Sequence, residues 1–298
     1  MAFEKQGLNY AKEYSQALAQ AYPYTLYFGA LWSATKDVKF LNSNTVILPS
    51  LTVKGRSNGD RDTIGSFARN FNNSEETKVL KTHRTWNTLV HPRDIDETNH
   101  VASIQNITKV MNEEQKFPEM DAEMITALYA LKNAIEEVTE GDVLTIANVL
   151  TQFDALMDKM DEKRVPGAGR ILYVDTYTKT LIDNAKDVVR TSGNTVLGRT
   201  VSRIDEVEVI GVPTSVMKSA FNLKADDGFE VAEGAKDVKM MLVHPSAVIP
   251  VITYDFAELG LPSALSQGKY TYFEESFEDV FIYDKKHDGI QFYVERTA

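Results

Sequence analysis

Apolar residues recur at helical spacing through the middle of the chain. From Asp94 a first helical stretch reaches about Lys116, and Pro118, with Glu119 and Asp121 in the first turn, opens a second. Met120, Met124, Ile125, Leu128 and Leu131 fall on one face of that second helix. A third begins near Asp142, where Leu144, Ala147, Leu150, Phe153, Leu156, Met157 and Met160 recur every three or four residues, and it ends before Val165 and Pro166. Beyond it the pattern alternates. Strands are predicted over 170–174, 206–212 and 238–244, a helix over 176–189 and a short helix near 213–220, which together make a compact α/β or α+β domain. The end of the chain, 270–296, predicts two strands joined at 285–289, a turn-rich spacer ending in Asp288-Gly289.

The first third reads differently. Residues 3–22 suit a helix with only a narrow apolar stripe, that of an arm which orders on a partner. Residues 45–53 (TVILPSLTV) are β-branched and apolar, and 78–89 (KVLKTHRTWNTL) alternate basic and apolar positions across a polar, Gly- and Asn-rich stretch. Together they predict a long two-stranded hairpin, which has little of its own to pack against and needs a neighbour.

Charge sharpens this division. The chain has 298 residues, a net charge of -11 and no cysteine, so disulfides, thiolate metal sites and cysteine nucleophiles are excluded. The acidic balance opposes broad nucleic-acid binding, which needs a basic face. Between 54 and 84, however, seven basic residues face four acidic ones, whereas 113–162 carries 13 acidic residues against three basic. One segment is a basic arm and the other an acidic surface. No stretch is long and apolar enough to predict a membrane span.

The order of these elements, with several phrases, resembles the major capsid proteins of tailed phages with the Hong Kong 97 fold. The phrases are FPEMDAEMITALYALKN (117–133), VPGAGRILYVDTYTKTLIDNA (165–185), IDEVEVIGVP (204–213), VKMMLVHPSAVIPVI (238–252) and FEDVFIYDKKHDGIQFYV (277–294). The family often has Gly where Glu206 stands. The resemblance implies an α+β capsid fold: an N-terminal arm (1–40), an extended hairpin or E-loop (41–93), a peripheral domain with a long helix (94–141 and 266–298) and an axial α/β domain (142–265). It implies self-assembly into the hexamers and pentamers of an icosahedral shell around DNA, contacted weakly and non-specifically. A separate scaffolding protein, a portal and head accessory proteins would be partners, and no catalytic residue, cofactor or metal is expected. The E-loop residues Arg56, Arg61, Arg69, Lys78, Lys81, Arg84 and Trp86 would then meet Glu113, Glu114, Glu119, Asp121 and Glu123 of the next subunit, through complementary charge and burial of apolar positions, with Trp86 read equally as a cross-strand packing residue or as an anchor in a neighbour's pocket. A nanocompartment shell of the same fold is the alternative.

Other chemistry is weaker. GNTVLGRT (193–200) has the spacing of a phosphate-binding loop with Arg199 in place of Lys, but a helical segment precedes it where the motif needs a strand. This is the one route to a nucleotide-binding enzyme. The histidines at 83, 91, 100, 244 and 287 include no i, i+4 pair, and Asp154, Asp158 and Asp161 share a helix face that reads as solvated or facing a basic neighbour.

Overall fold

The computed structural model describes residues 24–34, 39–42, 45–56, 58, 69–98, 103–136, 138–189, 203–204, 207–224 and 228–296, and only the backbone at 39–42, 186–189, 203 and 254. The expected helix over 3–22 and the loop at 193–200 lie outside these residues.

After helix α1 (Gly29–Trp32), strands β1 (Lys39–Asn42), β2 (Thr45–Val53) and β3 (Phe71–Val79) pair antiparallel in that order. This corrects the second arm of the hairpin. The partner of β2 is FNNSEETKV, a strand without an apolar face, because most of it stands in solvent. The alternating 78–89 run is broken at Lys81 and Thr82, whose backbone N–H groups donate to Asp279 at 2.5 and 3.1 Å. Its continuation, β4 (His83–Val90), joins another sheet.

Next come α2 (Pro92–Glu97), α3 (Ile104–Met111) and α4 (Phe117–Ile135), the last two joined through a π-helical turn at Asn112–Lys116. Pro118 therefore does not open a separate helix. It has no N–H to donate, and its ring would strike the carbonyl four residues back in a regular α-helix; the wider turn, in which Phe117 N–H reaches Asn112 O, admits it. The remaining elements are β5 (Thr139–Gly141), α5 (Val149–Glu162), β6 (Ile171–Asp175), α6 (Thr176–Val189), β7 (Arg203–Ile204), β8 (Val207–Val212), β9 (Phe221–Leu223), β10 (Phe229–Val231), β11 (Val238–Val243), β12 (Val248–Gly260), β13 (Tyr270–Ile282) and β14 (Ile290–Glu295). The short helix expected near 213–220 is instead a set of turns, in which the Val216 and Met217 N–H groups reach Pro213 O.

Six strands form the central sheet in the order β5-β14-β11-β6-β8-β7. Strands β6 and β11 at its centre are buried along their whole length because both faces are covered. Tyr173, Met241, Val243 and Phe292 pack with Met124, Ile125 and Leu128 of α4, while Leu172, Val174, Met240 and Leu242 pack with Phe153 and Leu156 of α5 and Ile182 of α6. A second sheet, β12-β13-β4, is long and antiparallel. The two C-terminal strands thus do not pair with each other: a 3-10 turn at Asp284–Gly289 sends β13 to the long sheet and β14 to the central one.

The base of the β2-β3 hairpin has its own core, where Val46, Leu48 and Leu80 pack on Ile249, Val251 and Phe281. Among the described residues its outer half has none: Leu51, Val53 and Phe71 are 60%, 61% and 49% exposed.

Where β5 runs beside β14, a Cβ on Gly141 would lie within 2.2 Å of Tyr293 Oη, whose hydroxyl donates to Asp142 O at 2.7 Å. Tyr293 is buried and cannot swing away. Gly141→Ala should therefore destabilise the fold by about 1–3 kcal/mol, measured as a lower denaturant midpoint with an unchanged slope.

Candidate subunit-contact surfaces

The basic residues expected to reach a neighbour divide into two groups. Arg56 and Arg69 are exposed at the outer hairpin, where Arg69 lies 5.0 Å over the Phe71 ring. Arg61 lies outside the described residues. The others stand near the hairpin base or beyond it. Lys78 pairs with Asp284 of its own chain at 2.7 Å, and the Lys81 side chain is exposed. Arg84 holds Glu119 through two bonds, of 2.5 and 3.0 Å, and donates to the Lys224 and Gly228 carbonyls. Trp86 is on β4, opposite Glu274 and 5.7 Å from the Tyr272 ring, as a cross-strand packing residue.

The acidic residues divide in the same way. Glu114 is exposed, and Glu113 is partly so, 3.8 Å from Lys109. Glu119 is taken by Arg84. Asp121 is fully buried and accepts from Tyr24 OH at 2.9 Å and from the Tyr27 and Phe28 N–H groups at 2.9 and 3.0 Å, so it ties the segment before α1 onto α4. Burial pushes its carboxyl up to about 6 against the opposing pull of those two backbone donors and the tyrosine. Glu123 sits between α4 and the long sheet, its Oε1 sealed from solvent without a partner among the described residues.

Helical position could not separate these acids, because the side of α4 away from the apolar core faces a sheet and not water. The only clue in the sequence was the company they keep on β13, where Glu274, Ser276 and Glu278 occupy the alternate positions that turn out to be buried.

A groove of about 500 Å³ lies between α3 and the outer end of the long sheet, lined by Ile104, Thr108, Asn112, Phe117, Leu259 and Tyr272. Thr108 Oγ1 and Asn112 Oδ1 are buried there with no hydrogen-bond partner among the described residues. Glu136, His287 and Asp288 bring three ligand-type atoms within 4.8 Å, but the Lys132 ammonium is 2.6 Å from Glu136 and that of Lys163 is 3.8 Å from Asp288, supplying the positive charge a metal would bring. Of the acidic face on α5, Asp161 pairs with buried Arg170 at 2.6 Å. Around 193–200 the order is helix before (α6) and strand after (β7), the reverse of a phosphate-binding loop.

No protein-family model matches the chain, and no curated protein matches it in sequence. Solved structures match it in fold. The capsid of cyanophage P-SCSP1u superposes with a TM-score of 0.70 at 11% identity, covering 97% of this chain and 93% of that chain. The mature capsid of bacteriophage PhiM1 gives 0.65 at 13% identity, over 97% and 92%. The capsid of Ralstonia phage GP4 gives 0.60 at 7% identity, over 97% and 95%.

The two groups of charges should separate in stability measurements on the isolated chain. Arg84→Ala strands the Glu119 carboxylate in a partly dry site and should cost about 1–3 kcal/mol. Arg56→Ala and Glu114→Ala, both exposed, should each stay within about 0.5 kcal/mol of the parent, all by urea unfolding.

Proposed function

We propose that this chain, which has the α+β fold of tailed-phage capsid proteins, is the subunit of an icosahedral head shell, working by self-association and not by catalysis. The observation that carries this reading is mutual coverage: with each of the three capsids the likeness spans nearly the whole of both chains. Support comes from the outer hairpin, whose exposed Leu51, Val53 and Phe71 would each contribute about 1.5–3 kcal/mol if fully buried against another copy. The partner surface we favour is the groove beside α3. There the apolar hairpin residues would meet Ile104, Phe117 and Leu259, and Arg56 and Arg69 would approach Glu113 and Glu114. Hexamers and pentamers, a separate scaffolding protein and a portal belong to the same reading. The net charge of -11 would keep contact with the packaged DNA weak. No helix among the described residues is long and apolar enough to cross a membrane.

Electron microscopy of the purified protein, alone and with the candidate scaffolding protein, tests this directly. Closed shells, tubes or rings of five and six are expected, and a uniform small species under all conditions would overturn the reading. Shells enclosing a protein and no DNA would favour a nanocompartment. The triple variant Leu51→Ser, Val53→Ser, Phe71→Ser should leave a folded subunit that forms no shells; normal particles would remove the hairpin from the contact.

A further inference from the structure

Helix α4 and the long sheet meet across a seam with more negative than positive charge. The helix brings Glu119 and Glu123, with Lys116 one residue before its start; β13 brings Glu274, Glu278 and Asp279; β4 and the turn before it bring Arg84 and Thr82. Two of the five carboxylates form ion pairs: Glu119 holds Arg84, and Glu274 has Lys116 at 3.4 Å together with the Tyr272 hydroxyl at 2.8 Å, while the Lys116 charge also acts on Glu278. Asp279 accepts from the Lys81 and Thr82 backbone, and Glu278 accepts from the Ser276 hydroxyl at 2.5 Å. The Glu123 Oε1 is sealed from solvent without a partner among the described residues, and Glu123 faces Glu119, Glu278 and Asp279, opposed by a Thr82 hydrogen bond. Asp255 of β12 adds negative potential at Glu278, while Lys224, whose carbonyl Arg84 uses, spends its own ammonium on Glu230 at 2.7 Å.

Such an excess is not stable as bare charge, since each unpaired carboxylate in a dry contact forfeits its hydration. We propose that a proton bound at Glu123 completes this seam and latches α4 onto the long sheet, so that loss of the proton loosens the helix from the sheet. The latch belongs to the single subunit and stands whether or not that subunit builds shells. Desolvation, and then the charges of Glu278 and Asp279, push the Glu123 carboxyl up to about 9. Because the folded value lies above the unfolded one, the folded state keeps a proton that the unfolded chain has already lost. The stability this proton confers is complete below the ordinary glutamate range and is lost as pH rises towards about 9. The wider turn at Asn112–Lys116 gives α4 a place to pivot when the seam opens.

Trp86, opposite Glu274 and against Tyr272, reports on the seam, and Trp32→Phe leaves it as the only tryptophan. In that background, Trp86 emission and amide exchange across 117–135 are followed from pH 6 to 10. The parent should show one transition with a midpoint near pH 9 and faster exchange above it. Glu123→Gln, a neutral isostere, should abolish the transition; Glu278→Gln should move it to lower pH by removing a neighbouring charge; exposed Glu114→Gln should leave it in place. An unchanged transition in Glu123→Gln, or equal emission and protection at pH 7 and pH 10 in the parent, would overturn the latch. If Glu123→Gln fails to fold, the Glu278→Gln shift decides alone, and its absence counts against the proposal.

Discussion

Helix α4 is buried on two sides, and opposite chemistry holds each side. Towards the central sheet it offers Met124, Ile125 and Leu128 to a dry core shared with β6, β11 and β14. Towards the long sheet it offers Glu119 and Glu123 to a seam of carboxylates, cations and hydroxyls. The first contact is strong but non-directional, since apolar burial scales with area and tolerates sliding. The second is weaker and directional, because the two bonds from Arg84 to Glu119 fix both angle and register. The relation of the two sheets, and with it the placing of the hairpin and of the segment tied down by Asp121, follows from how this helix is seated.

What the sequence revealed followed how each segment is solvated. Strands β6 and β11 stood out because both faces are covered, so ILYVD and VKMMLV carry no polar alternation to confuse the pattern. Helix α6 was legible to its residue limits because one face packs on the central sheet. Strand β3 was not, since a strand standing in solvent has no reason to carry an apolar face, and FNNSEETKV reads as loop. Strand β12 was missed as a 13-residue element because the Pro and Gly residues around it read as punctuation. Pro118 misled for a local reason: the rule that proline begins or ends a helix assumes α-geometry before it.

The contact residues were legible as charges but not as surfaces. Composition places an acidic stretch beside a basic one, yet it does not tell which charges are already satisfied within one chain. Arg84 and Glu119 attract each other as opposite charges should, and they do so within one chain. Asp121 looks like a first-turn helix acid and is a buried acceptor for two backbone N–H groups. Partners contributed by distant turns, such as Thr82 or Gly228, leave no periodic mark.

Lys285 reaches β2 near its outer end, its ammonium 3.1 Å from both Leu51 O and Thr52 Oγ1. Those two bonds lie where the described hairpin passes from the part set in its own core to the exposed Leu51 and Val53. A hairpin held there by one lysine can change its direction beyond Thr52 without disturbing Val46 and Leu48 beneath it.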